Sequence, residues 1–121
     1  MADYQSFRVG LHGLIQREDG KVLFLKRAKT KSFLPGCFCL PCGHHDGGEK
    51  IEEGMARELK EEVGLVVNPA DIELVGVGHN KTPQDLLEAF NFMFLIKKWQ
   101  GEPQNMEPES ADGLMLSPIH I

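Results

Sequence analysis

The run Glu58-Leu59-Lys60-Glu61-Glu62 sets three carboxylates within five positions. On a helix Glu58 and Glu62 stand at i,i+4 and Glu58 and Glu61 at i,i+3, so all three crowd one side. Like charges at these spacings weaken a helix by about 0.2–0.5 kcal/mol per pair. Anions near a helix C-terminus also oppose the macrodipole. Lys60 is the only cation within the run. A cluster set against both effects points to a hard divalent cation. Carboxylates suit Mg²⁺ or Mn²⁺, and Mg²⁺ completes its octahedron with water and substrate phosphates. A solvated acidic helix face would read the same way, and the spacing alone leaves both readings open.

A second concentration lies upstream in CFCLPCGHHDGGE, Cys37 to Glu49, which holds Cys37, Cys39 and Cys42 (all the cysteines of the chain) with His44 and His45 close behind. A structural zinc site would need a second ligand pair farther along the chain, and C-x-C-x2-C has none. Free cysteines are common in protein interiors. Alternation would place Cys37 and Cys39 on one face of a short strand.

These residues must be positioned by the elements around them. Residues 7–18 and 21–27 are apolar runs on either side of Asp19-Gly20, a hairpin signal because glycine tolerates the positive φ of a tight turn. Residues 28–36 form a loop ending in Pro35-Gly36, and a short strand over 38–40 stops at Pro41. Residues 49–65 are the clearest helix: Ile51, Met55, Leu59 and Val63 make one apolar stripe, and Gly64 stands where a C′ glycine ends it. Strands follow over 72–79 and 89–99. In the latter, Phe90, Phe92, Phe94 and Ile96 share one face, while Ala89, Asn91, Met93 and Leu95 make a second, largely apolar face, which predicts cover on both sides. A polar loop over 100–113 leads to a last short strand over 114–117. Strands before and after one strong helix predict a mixed α/β sandwich. No closing helix follows Ser117-Pro118, so the expectation is either a truncated chain or a partner over that surface.

The totals bound the rest. The chain has 121 residues, which predicts one domain over 1–121 with one core, and its 41% hydrophobic and 26% charged composition is ordinary for a soluble protein. A net charge of −5 argues against a nucleic-acid surface, which needs a basic face. The first residues carry no secretory pattern and no apolar run approaches a membrane span, so a cytoplasmic protein with reduced cysteines is expected.

From Gly43 the sequence reads outward through five residues to Glu49, then seven to Arg57-Glu58-Leu59-Lys60-Glu61-Glu62-Val63-Gly64-Leu65. This resembles the Nudix box, G-x5-E-x7-R-E-U-x-E-E-x-G-U with U aliphatic, at every defined position. LPCGHHDGGE resembles the family's lead-in, with Cys42 in place of a glycine. WQGEPQNMEPE resembles the segment after the long strand in MutT-like members. The resemblance runs from about Phe7 to Leu116, and the cysteines fall within it, which disfavours a zinc module.

The resemblance implies an α/β/α sandwich with a mixed sheet and a loop–helix–loop, here without its C-terminal helix. It implies hydrolysis of nucleoside diphosphate-linked compounds with Mg²⁺, or alternatively Mn²⁺. Glu58, Glu61 and Glu62 are the implied metal set, with the Cys42 carbonyl as a further ligand and Glu107 as another carboxylate that could join them. Arg57 would pair with Glu49 to brace the loop. Glu61 is the expected general base and Glu107 the alternative, with Glu88 and Glu109 weaker candidates. Lys26 and Arg27 end the second strand, where MutT-like proteins carry a phosphate-contacting arginine. Adjacent strand residues face opposite ways, so one should reach the site, and the alignment favours Lys26.

The implied partner is a small nucleotide, with no nucleic acid or membrane; an oligomer is left open. A MutT-like (d)NTP pyrophosphatase is the leading expectation, with ADP-ribose or dinucleoside polyphosphates as alternative substrates. Of two other classes, a non-catalytic nucleotide-binding module is disfavoured because the box keeps its glutamates, and a zinc module would bind stoichiometric zinc without turnover.

Overall fold

A computed structural model of the chain describes residues 6–32, 34–81 and 88–118. In chain order it contains β1 (Arg8–Ile15), β2 (Lys21–Arg27), β3 (Phe38–Cys39), β4 (Cys42–His44), α1 (Ile51–Val63), a 3₁₀ turn (Pro69–Asp71), β5 (Ile72–Lys81), β6 (Glu88–Ile96) and β7 (Ala111–Pro118). The first residues and the end of the chain, on which the expectations of no leader and no closing helix partly rested, lie outside the described residues. No described helix is long and apolar enough to cross a membrane.

Helix α1 forms where the four-residue apolar stripe predicts it. Glu53 accepts the Lys50 backbone N–H at 2.9 Å, satisfying a donor that the first turn leaves unpaired. The chain leaves the helix through Gly64 at φ 71°, with the Leu65 N–H returning to the Leu59 carbonyl in the pattern of a glycine stop. Met55, Leu59 and Val63 are fully buried. They pack with Leu11 and Ile15 of β1, Leu23 and Leu25 of β2, and Phe94 and Ile96 of β6 in one core.

The strands form two sheets, ordered β4-β1-β6-β5 and β3-β2-β7. In the first, β1 and β6 run parallel from Arg8↔Ala89 to Ile15↔Ile96, a pairing that needs the long connection between them. All other strand pairs are antiparallel. The mixed α/β sandwich expected from the sequence is the fold observed.

Several local expectations change. The Asp19-Gly20 turn exists, with Gly20 at φ 85°, but it does not make a hairpin ladder. β1 is taken on both edges by β4 and β6, so β2 diverges after one bridge, Gln16↔Val22, and joins the other sheet. Cys42–His44, read from sequence only as part of a glycine-rich loop, is strand β4 on β1. The last strand begins at Ala111 rather than 114 and carries a bulge opposite Lys26 and Arg27. The second face of β6 is not closed: Ala89, Asn91, Met93 and Leu95 are half-buried. α1 packs against the opposite face, and part of this face is the floor of a cavity.

Candidate active site

The site is assembled where α1 passes under the edge strand β4. Cys42 and His44 alternate with Gly43 on β4, so Gly43 faces the helix. A β-carbon there would lie 2.0 Å from the Glu58 carboxyl carbon, and only glycine lets the carboxylate approach so closely. On the next turn Glu62 Oε1 accepts the Cys42 backbone N–H at 3.1 Å. Cys42 stands in a strand, and Leu34 is the one non-glycine with positive φ among the described residues. A cysteine is therefore accommodated at a position where the family pattern has glycine.

Arg57 ties the helix to the loop before it. Its Nε and Nη2 donate to the two oxygens of Glu49 at 3.2 and 2.9 Å. Nη2 also donates to the His44 carbonyl at 3.1 Å, and Nη1 donates to Glu58 at 2.8 Å and Glu61 at 3.3 Å. The planar fork suits this two-point grip. The hydrogen bond from Arg57 holds the Glu49 pKa below its ordinary value, and those to Glu49 and Glu58 raise that of Arg57. Within the loop the Gly47 N–H donates to His45 Nδ1 at 3.1 Å. His45 is therefore protonated on Nε2 when neutral, and it donates to the Glu49 carbonyl at 2.7 Å.

Above β4 opens a cavity of about 540 Å³, within the roughly 300–1,000 Å³ range of small-molecule sites. Glu58, Glu62, Glu107 and Cys42 line it, together with Arg27 and Lys31. Burial pushes the Glu62 pKa up to about 8, and the charges of Glu107, Cys39 and Glu58 add to this against the Cys42 N–H. Burial likewise raises Glu58 against the pull of Arg57. Cys39 is lowered to about 6 through its hydrogen bond with Cys42 and the neighbouring Arg27; the same bond, with burial, raises Cys42.

No group of three His, Cys, Asp or Glu side chains converges as a ready metal cage among the described residues. Glu49, Glu58 and Glu61 are turned to Arg57 instead. The donor set nonetheless fits a hard divalent cation. Two partly buried carboxylates that resist ionisation beside each other, with a third in the same cavity, are the surroundings a dication would relieve. The cysteines give no cluster of this kind and stay free.

Of the residues singled out from sequence, the cavity brings together Cys42, Glu58, Glu62, Glu107 and Arg27. Glu49 and Arg57 lie behind it as the brace. Glu61 is outside the lining, its side chain 56% exposed and paired with Arg57. Lys26 also lies outside, paired in register with Phe38 and Gly113. Sequence reasoning missed His12 and Asn91, which line the cavity from β1 and β6. Asn91 left a signal as the one polar residue in AFNFMFLI, but its contact with His12 spans 79 positions.

A family model described as the NUDIX domain matches residues 6–120. An ADP-ribose pyrophosphatase of Methanocaldococcus jannaschii is 35% identical over 106 residues, covering 83% of this chain and 60% of that protein. An 8-oxo-dGTP diphosphatase of Haemophilus influenzae is 32% identical over 82% of this chain and 69% of its own length. The crystal structure of a MutT NUDIX hydrolase from Burkholderia pseudomallei superposes with a TM-score of 0.82 at 28% identity, covering 93% of this chain and 83% of that one. The chain thus spans less than two thirds of the first of these relatives.

Proposed function

Because the chain belongs to the NUDIX domain family, we propose that it hydrolyses nucleoside diphosphate-linked compounds, with (d)NTPs cleaved to a nucleoside monophosphate and pyrophosphate as the leading reaction. The observation that carries this reading is the two-signed cavity, where Glu58, Glu62 and Glu107 share one enclosure with Arg27 and Lys31. Carboxylates alone would repel a polyphosphate and cations alone would only bind it. Together they suit a phosphate chain that arrives with divalent metal.

Glu58 and Glu62, with the Cys42 carbonyl and Glu61 as the remaining members of the family set, would hold Mg²⁺ or Mn²⁺. When bound, the metal neutralises phosphate charge and orients the reacting groups. Arg57 keeps the loop and Glu58 in place through its grip on Glu49. Arg27 and Lys31, which line the same cavity, bind phosphate oxygens. Glu107 takes the proton of the attacking water. Its place in the cavity supports it over Glu61, whose exposed carboxylate is held by Arg57.

A second reading, ADP-ribose hydrolysis, is favoured by the 35% identity to the M. jannaschii protein. A Mg²⁺-dependent screen of NTPs, dNTPs, oxidised dNTPs, ADP-ribose and dinucleoside polyphosphates decides between them, with phosphate products read directly. Monophosphate and pyrophosphate from a triphosphate support the first reading, and AMP with ribose 5-phosphate supports the second. A folded protein that turns over none of them retires both. Within the same assay, Glu107→Gln should lower kcat at least a hundredfold and more than Glu61→Gln does, as expected for a general base; the reverse order would move the base to Glu61.

A further inference from the structure

The floor of the cavity carries a polar device that phosphate hydrolysis does not use. Asn91 sits mid-strand on β6, in register with Gly10 of β1 on one side and Gly78 of β5 on the other. Its Oδ1 accepts from His12 Nε2 at 2.9 Å, and its Nδ2 donates to Asn80 Oδ1 at 2.5 Å. Asparagine and glycine are both poor residues for a strand interior, and here they are adjacent in two inner strands. The glycine is required: a β-carbon on Gly10 would lie 2.3 Å from Asn91 Oδ1. Such departures from local preference concentrate at functional positions.

Position and chemistry say what the device could bind. His12 pairs in register with Cys42, whose N–H is held by Glu62, so the carboxylate pole begins at β4. Asn91 is two strands farther across the same sheet, about 10 Å at ordinary strand spacing. That is comparable with the reach from a nucleotide's phosphates across its ribose to its base. An amide has two N–H donors and an oxygen with two lone pairs. The contacts with His12 and Asn80 use one of each and fix which end is oxygen and which is nitrogen. Among the described residues, one donor and one acceptor remain without a partner, in a known orientation, and a heterocycle with a donor–acceptor edge is their complement.

We propose that Asn91, oriented by His12 and Asn80, reads the nucleobase of the substrate and sets the base selectivity of this cavity. The proposal rests on the nucleotide-hydrolase reading above and deepens it. It makes Asn91 a specificity-determining residue, and His12 a positioning residue that acts through it.

The test is binding of the α,β-methylene analogues of ATP, GTP, CTP and UTP, with inorganic tripolyphosphate as the base-free ligand. Wild type, Asn91→Leu and His12→Phe are compared after circular dichroism shows each to be folded. Leucine keeps the branched shape and heavy-atom count of the Asn91 side chain without its polar groups, so the fold should survive; His12→Phe reaches the same network from its other end. The expected result is a wild-type preference for one base of tenfold or more. In Asn91→Leu the preferred nucleotide weakens about ten- to hundredfold, the preference collapses, and tripolyphosphate binding stays within about twofold. His12→Phe should move the same way by less. Equal wild-type affinity for all four bases would overturn the proposal. So would a loss of tripolyphosphate binding as large as the loss of nucleotide binding. Turnover of the natural nucleotides is measured alongside: base-selective binding without turnover would retire the hydrolase reading and leave the base-reading role standing.

Discussion

Removing the charge of Glu62 should stabilise the metal-free protein at high pH and hardly at all at low pH. The carboxylate's pKa is pushed from its ordinary 4.5 up to about 8, chiefly by burial. Between these two values the folded chain holds a proton that the unfolded chain releases, so stability falls as pH rises through the window. From pH 5.5 to 8.5 the full shift corresponds to about 3 kcal/mol. Solvent reaching the partly exposed carboxylate screens some of this, leaving about 1.5–3 kcal/mol. For a domain of this size that is roughly 5–10 °C in melting temperature. The assay is thermal unfolding in EDTA at pH 5.5, 7.0 and 8.5 for wild type and Glu62→Gln. The variant cannot ionise at this position, so its melting temperature should exceed that of wild type by a margin that widens with pH. Mg²⁺ should restore wild type most strongly at pH 8.5, because binding competes with the proton, and should do little for the variant. A wild-type minus variant difference that stays flat from pH 5.5 to 8.5 would refute the argument that burial and neighbouring anions strain this group.

Two further predictions follow from the brace and the core. Arg57→Lys keeps the charge but loses the two-point grip on Glu49. It should lower kcat/KM at least tenfold and speed amide exchange at Gly47, measured by hydrogen exchange, while leaving global stability within about 1 kcal/mol. Leu59→Ala empties a fully buried position between the helix and β1; it should cost about 3 kcal/mol by urea titration, with no change in the relative rates on different nucleotides.

What could be read from the sequence divides along the range of the interactions. The helix, its stop at Gly64 and the crowding of Glu58, Glu61 and Glu62 are set by neighbours within four positions, so periodicity found them. The pairing of Glu49 with Arg57, eight positions apart, was expected only from the resemblance to the Nudix box. The sheet was not readable. Nothing near Asp19-Gly20 reveals that β1 will be taken by β4 and β6, so a sound turn signal predicted the wrong partner. The expectation that Lys26 reaches the substrate came from alignment alone. Which of two adjacent residues faces the cavity depends on how the strand meets its neighbours, and Arg27 lies at the bulge where β2 meets β7.

The same division explains the shape of the site. Most of the acidic pole is local: α1 and the loop before it, tied by Arg57, present Glu58 and Glu62, and Glu107 joins them from the loop before β7. In the proposed reaction this pole meets the phosphate chain, whatever is attached to it. The opposite pole is built across strands, where Gly10, His12, Asn80 and Asn91 meet only because β1 and β6 run parallel and β5 pairs beside them. Substitutions on these strands can change what is recognised without disturbing the helix. On the proposed function and base-reading role, chemistry and selectivity are separable. Relatives 35% and 32% identical to this chain carry names as different as ADP-ribose pyrophosphatase and 8-oxo-dGTP diphosphatase. If so, exchanging Asn91 and His12 should alter the ranking of substrates while leaving the metal dependence and pH profile of turnover unchanged, whereas Glu62→Gln should alter both and leave the ranking alone.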